Sequence, residues 1–251
     1  MDTSIYQLHT NARIGNNVTI GPYCAIGNAI IGDNVILGSG VVVYDNVEIG
    51  NHVRVFDHCV LGRLPQVAGI IQRPPRTDLP PLVIGGYSVI GANTVIYCGT
   101  VIGERTLVGD LTCIREECSI GSDVVVGRGV MMNYNIIVHD RVRIMDNCHF
   151  GGDMLIEADV FIGPNLSSAN DKLMGLNNEV IRKGATIRRG VSIGAGVMLL
   201  ADLEIGEQAI VGAGAMVDKD VPARKIAVGM PARIIKDVPP ELLKPLGQEK
   251  P

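Results

Sequence analysis

Aliphatic side chains recur every six residues along almost the whole chain. Through the middle they run Ile84, Ile90, Ile96, Ile102, Val108, Ile114, Ile120, Val126, Met132, Val138, Ile144, Phe150, Ile156 and Ile162, without a slip. A glycine often follows, as at Ile84-Gly85, Ile90-Gly91 and Ile120-Gly121. A period of six fits neither the 3.6-residue period of an amphipathic helix nor the alternation of a lone strand. It predicts an all-β parallel β-helix, in which each hexad is one short strand plus a corner and three hexads close a triangular coil. β-branched Ile and Val suit the strands, and Gly, Asn and Asp suit the tight corners.

The register extends both ways. Before the block it reads Ile31, Leu37, Val43, Ile49, Val55 and Leu61, with Ile14, Ile20 and Ile26 preceding a one-residue slip. After it come Ile181, Ile187, Ile193, Leu199, Ile205, Val211 and Val217. This predicts about ten coils. The small residue two places before the inward aliphatic is expected to point inward too, as with Ala25, Cys59, Cys98, Cys118 and Cys148. An all-β sandwich would not hold a six-residue phase over this length.

Two interruptions break the repeat. Residues 62–83 form a Pro-rich insertion carrying Arg63, Arg73 and Arg76, and residues 164–180 form a second. Insertions of this length in a compact domain are commonly functional. The organisation expected is one solenoid over residues 1–221 and a capping tail over 222–251, in which Ile234, Ile235, Leu242, Leu243 and Leu246 cover the open edge of the last coil.

Composition narrows the function. Aromatic residues are 4% and Trp is absent, as a narrow prism requires. No apolar run approaches the ~20 residues of a membrane span, and no basic-then-apolar leader opens the chain. The six cysteines form no CxxC and fall mostly at inward positions, so they read as small hydrophobes in a reduced, cytoplasmic protein. A net charge of −4 without a basic stripe argues against nucleic acid.

The hexads, the ending VGAGAMVDKDVPARKIAVGMPARII and the Asn170-Asp171-Lys172 loop resemble the hexapeptide-repeat acyltransferases. The segment GVMMNYNIIVHDRVRIMDNCHFGGDMLIEADVFIGPNLSSANDK is similar to nucleotide-linked amino-sugar N-acetyltransferases, above all those acting on dTDP-3-amino-3,6-dideoxyhexoses. The first insertion, with Pro65-Gln66, also resembles lipid A acyltransferases acting on UDP-N-acetylglucosamine. The resemblance implies left-handed coils and a homotrimer with clefts between subunits. It also implies acetyl-CoA as co-substrate, a nucleotide-linked amino sugar as acceptor, and no metal. Lys219 and Arg233 stand where the family's tail cations meet CoA phosphates, and Ser192, Gly194, Ala195, Ala213 and Gly214 would offer backbone groups to the pantetheine.

The acceptor amine must be neutral when it attacks a thioester, and the enzyme can place a base, align the reactants and donate to the oxyanion. Where many family members carry a base histidine, two places after an inward aliphatic, this chain has Tyr134. A tyrosine is a poor base at neutral pH. Asp171 with Asn170, Asp153, His149 and the out-of-phase His139 are the other candidates, with Asn133 and Asn135 beside them. Gly151 or Gly152 would supply an oxyanion N–H. The acceptor's diphosphate is expected at Arg63, Arg73 or Arg76. His9, His52 and His58 read as surface residues. Two rival readings remain: a zinc carbonic anhydrase, which would need an absent HxxxxH pair, and a non-catalytic β-helix, which would need neither long loops nor a CoA-type tail.

Overall fold

A computed structural model describes residues 6–66, 76, 78–176, 182–243 and 245. The chain winds as a parallel β-helix whose strands are mostly two residues long. They stack into three sheets of eleven, ten and twelve strands. The first sheet opens at Gln7–Leu8, the second at Arg13–Ile14 and the third at Thr19–Ile20. Each strand bonds to those one coil below and above, with residues 18 apart opposite each other, as at Ile84↔Ile102 and Ile120↔Val138. The stack reaches eleven coils against about ten expected. The chain visits the sheets in a fixed order, which defines a first corner (first to second sheet), a second corner (second to third) and a third corner (third to first).

The six-residue period is a burial period. Ile84, Ile90, Ile96, Ile102, Ile114 and Ile120 are all essentially buried and belong to one continuous core. Each contributes about 1.5–3 kcal/mol of transfer free energy. The slip after Ile26 is a first-corner turn one residue short, closed by Ala29 N–H donating to Gly27 O. Corner residues take the left-handed conformation, with Asn34, Asn46, Asn93, Asn135 and Asn147 at φ near +60°. Corner aspartates on the lower coils add a second ladder: Asp57 accepts from Ser39 N–H at 2.6 Å, and Asp110 from Ala92 N–H at 2.7 Å.

The second inward position differs in part from expectation. Cys59, Cys118 and Cys148 are buried there, but Cys24 rather than Ala25 points inward. Cys98 is buried at the first corner instead, because it follows Ile96 by two places. In the coils between them the same inward position carries buried hydroxyls on all three sheets in turn, at Ser88, Thr94, Thr100, Thr106 and Thr112. Thr106 shows how a hydroxyl is accommodated: it donates to Gly121 O at 2.9 Å and accepts from Val124 N–H at 3.2 Å.

Burial pushes the Cys118 thiol up to about 12 and the Cys59 thiol up to about 11. Five of the six cysteines are buried, and Cys113 is intermediate. A disulfide reagent is therefore expected to titrate at most Cys113 in the folded protein and all six thiols in denaturant, read at one wavelength. Rapid labelling of two or more thiols under native conditions would contradict this packing.

Both insertions leave from the first corner. The first lies between Val60–Arg63 on the first sheet and Val83–Ile84 on the second. The second lies between Ser167–Ser168 on the first sheet and Thr186–Ile187 on the second. Pro164 to Ser168 thus complete one more corner and strand before the chain departs, with Ser168 buried in the place of an aliphatic. Arg73, Ile181 and Leu246 lie outside the described residues. At the far end Lys225–Val228 joins the third sheet, and Arg233–Asp237 folds back antiparallel against it. A short 3-10 turn over Pro240–Leu242 follows.

Candidate functional site

The stretch of first corner between the two insertions collects most of the candidate residues. Arg63 stands at its lower end, beside the base of the first insertion. Above it, one coil after another, come Tyr97, then Arg115 to Glu117, then Asn133 to Asn135, then Gly151 to Asp153, and finally Asn170 and Asp171. The two insertions are five coils apart, about 24 Å at a strand spacing near 4.8 Å.

Tyr134 organises the upper half of this edge. Its ring lies over Gly152, where a Cβ would come within 2.4 Å of Cε2. Its phenol oxygen accepts from Asn170 Nδ2 at 3.3 Å. On its other side the Arg115 guanidinium lies 5.6 Å from the ring centroid. Glycine at 152 is thus a steric requirement for seating the ring. Asn135 donates through Nδ2 to Asp153 Oδ1 at 2.8 Å, one coil above. That bond orients a carboxylate beside Gly152.

The two glycine amides differ. Gly151 N–H donates to Ser168 Oγ at 2.9 Å, so it is committed and does not serve as an oxyanion donor. Gly152 N–H has no partner among the described residues. Asp171 is also engaged: it accepts from Leu173 N–H at 2.8 Å and Gly175 N–H at 3.1 Å, and Arg182 Nε lies 3.7 Å away. These contacts shape the start of the second insertion.

That insertion is also tied to the coil above. Lys172 and Lys183 reach Asp202 at 2.7 and 2.8 Å. Hydrogen bonds from Lys172 and then Lys183 lower the Asp202 pKa to about 2. A depressed folded-state pKa means that this tether is complete above the ordinary carboxylate value and is lost as pH falls through about 2. Asp202→Asn is expected to speed tryptic cleavage at Lys172 and Lys183 several-fold at neutral pH, a modest effect because the pair is exposed. Unchanged cleavage on a gel time course would remove the tether's role.

His149 is exposed on the first sheet, between Met131 and Ser167 in register, and faces outward from the sheet. His139 is exposed at the second corner, on another edge of the prism. His52, also at the second corner, stacks on Tyr87 at 4.6 Å. His58 lies at the third corner, and His9 is exposed in the first coil. Arg76 pairs with Asp78 and with Glu117, each at 3.2 Å, pinning the end of the first insertion to the site edge.

The backbone groups expected to meet CoA lie on another edge. Ser192 ends on the third sheet, and Gly194, Ala195, Ala213 and Gly214 line the upper third corner. Here the aspartate ladder of the lower coils is missing, and the Ala195 and Ala213 N–H groups have no partner among the described residues. Gly196 and Gly214 have φ near +70° and open space on the side a Cβ would take. Lys219 is exposed at the top of the first corner, and Arg233 is exposed 3.3 Å from Asp218. Within one chain, the width of the first sheet separates the third corner from the Tyr134 edge.

Sequence reasoning missed Arg115, Glu116 and Tyr97. Their signal was a charged or aromatic residue one or two places after an inward aliphatic, where the neighbouring coils carry small or polar groups. Among the described residues, no three His, Cys, Asp or Glu side chains gather as metal ligands. No helix among them is long and apolar enough to cross a membrane.

Comparison with known proteins places this architecture. The bacterial transferase hexapeptide (six repeats) model matches residues 11–45 and 28–63, and the hexapeptide repeat of succinyl-transferase model matches residues 81–109. The chain superposes on LpxA, a UDP-N-acetylglucosamine acyltransferase from Bacteroides fragilis, with a TM-score of 0.54 and 21% identity, covering 95% of this chain and 75% of that one. The chain thus carries the hexapeptide repeats those models describe, wound in the β-helix fold of that acyltransferase. The fold matched is the left-handed form.

By sequence, this β-helix is 38% identical over 88 residues to the bifunctional protein GlmU of Rubrobacter xylanophilus, covering 35% of this chain and 18% of that protein. It is 31% identical over 62 residues to galactoside O-acetyltransferase of Escherichia coli, covering 25% and 30%. The chain thus spans less than a third of either protein's length. The Escherichia coli relative is named an acetyltransferase and the superposed structure an acyltransferase.

Proposed function

We propose that this protein is an acetyl-CoA-dependent N-acetyltransferase acting on a nucleotide-linked amino sugar, with dTDP-3-amino-3,6-dideoxyhexose as the preferred acceptor class, in surface-glycan synthesis. One observation carries the reading: both insertions spring from the same corner and bracket an edge whose polar side chains are fixed to one another, coil to coil. A merely tolerated insertion has no reason to choose the corner of another five coils away.

The acceptor edge and the unpartnered amides of the upper third corner lie on different edges of one prism. A cyclic trimer of parallel prisms would bring one copy's first corner towards the next copy's other edges. The reading therefore includes a homotrimer with acetyl-CoA in the clefts. Ala195 and Ala213 would bond the pantetheine, while Lys219 and Arg233 would meet the phosphates.

In the reaction the sugar amine attacks the thioester carbonyl. The C–N bond forms, the C–S bond breaks, and the amine's proton ends on the CoA sulfur. Alignment supplies much of the rate. Gly152 N–H is the oxyanion donor in this scheme. Asp153, held by Asn135, receives the amine, with Asn133 and Asn170 beside it. His149 and Tyr134 complete the wall, and Asp171 acts through the shape of the second insertion. Arg63 and Arg76 stand towards the nucleotide.

Mass analysis of the sugar product tests the reading. Incubation with acetyl-CoA and dTDP- or UDP-linked 3- and 4-amino sugars should add one acetyl group to the amine of a dTDP-3-amino sugar. Transfer of a long acyl chain to a hydroxyl of UDP-N-acetylglucosamine instead would favour the lipid A type of acyltransferase.

A further inference from the structure

Glu116 is the one charged residue among the buried side chains of the described residues, at 3% exposure. It sits at the first corner, midway between the two insertions. Its carboxylate takes both hydrogen bonds of a fork–fork pair from Arg115, Nε at 3.1 Å and Nη2 at 2.8 Å. Burying such a pair is poor value for stability, since desolvation offsets the attraction. The other corners of the prism manage with exposed aspartates that cap backbone amides. The pair does fix one arginine in one orientation.

Arg115 is held on two sides, by Glu116 and by the Tyr134 ring. Its Nη1 has no partner among the described residues, and the side chain is about a third exposed on the outer edge. Two coils below, about 10 Å away, the Arg63 guanidinium lies over Tyr97, 5.2 Å from the ring centroid, and forms no ion pair among the described residues. The edge thus alternates Arg63, Tyr97, Arg115 and Tyr134. The nearby Arg76 and Arg182 are each matched to carboxylates, Asp78 with Glu117 and Asp171 respectively. Arg115 is the cation that is both immobilised and still has donor capacity.

We infer that Arg115, clamped by the buried Glu116, binds the diphosphate of the nucleotide-linked acceptor, and that Glu116 is its positioning residue. A planar guanidinium locked on one side and open on the other suits a phosphate oxygen, and the lock removes the entropy cost of ordering it. This rests on the acceptor being nucleotide-linked. CoA carries the same phosphate chemistry, so the two ligands are measured separately.

The experiment is calorimetric titration of dTDP, UDP and CoA into wild type, Arg115→Lys, Arg115→Gln, Glu116→Gln and the double variant Arg115→Gln/Glu116→Gln. The double variant removes both charges and keeps the test alive if a single change leaves a buried charge that unfolds the coil. Arg105→Gln, at the second corner, is the control. Nucleoside diphosphate affinity should fall tenfold or more in both Arg115 variants and in the double variant. It should fall about threefold to tenfold in Glu116→Gln, with CoA affinity unchanged throughout and Arg105→Gln like wild type. In turnover assays Glu116→Gln should raise KM for the sugar nucleotide and leave kcat near wild type.

Unchanged nucleotide affinity in the folded double variant would overturn the assignment. So would a loss confined to CoA. The proposed activity fails separately: wild type that binds nucleoside diphosphate but acetylates no amino sugar would refute the transferase reading while leaving Arg115 in place.

Discussion

A single methyl group at position 152 should lower kcat/KM by about 100-fold, the usual cost of a 1 Å misplacement in an aligned site, without unfolding the β-helix. In Gly152→Ala the new Cβ would stand 2.4 Å from Tyr134 Cε2 and 2.7 Å from Cδ2, closer than carbon atoms can approach. The backbone there is held by the coil above and below, through Asp153 N–H to Tyr134 O and Gly184 N–H to Asp153 O. The ring must therefore move. It then loses Asn170, leaves Arg115 without its aromatic wall, and disturbs the one glycine amide available to an oxyanion. Thiol release from acetyl-CoA measures the loss, and circular dichroism confirms the fold. A variant with wild-type turnover would show that the Tyr134 seat is irrelevant to catalysis.

The second large effect is on stability. Phe150 heads the fully buried side chains and lies directly above Met132 in the inward column of the first sheet. Phe150→Ala is expected to cost about 3–5 kcal/mol through lost transfer free energy and an unfilled cavity. A solenoid passes stability between neighbouring coils only, so the coils near 132–168 should loosen first. Hydrogen exchange should report faster opening there than in the coils around Ile31 to Val55. Uniform destabilisation along the whole chain would contradict a nearest-neighbour solenoid.

The fold was legible because its cause is periodic. Inward Ile and Val residues every six positions are what a prism needs, and little else requires them. The coil count fell short by about one because Gln7–Leu8 adds a strand below the first clear hexad and Ser167–Ser168 adds one whose inward residue is not aliphatic. Handedness came from resemblance, since spacing alone is indifferent to it.

The site was legible in its residues and not in its geometry, and Ser168 explains much of the difference. With the repeat read as ending at Ile162 on the third sheet, the second insertion falls at the third corner, away from the first. Ser168 is an inward residue without aliphatic character, tolerated because its hydroxyl meets Gly151 N–H and Met154 Sδ. Counting that hexad moves the insertion to the first corner and aligns both loops on one edge. The same serine consumes the Gly151 amide, which left Gly152 as the donor. Glu116 stayed hidden for a related reason: a carboxylate two places after an inward residue looks like the solvated corner aspartates elsewhere, and only the folded edge reveals its burial.

The location of the reaction is tested most directly by a matched pair of corner substitutions. Asn135 and Asn93 both occupy left-handed corner positions, at φ of 54° and 57°. Asn135 is on the first corner between the insertions, and Asn93 is on the third. Replacing each with glycine spares the backbone from strain and removes only the amide. The decisive number is the ratio of kcat/KM for thiol release, with the best amino-sugar nucleotide, in Asn135→Gly and Asn93→Gly. The bracketed first corner predicts a fall of tenfold or more for Asn135→Gly and wild-type turnover for Asn93→Gly. Equal values, or a loss in Asn93→Gly alone, would place the chemistry on another edge of the prism.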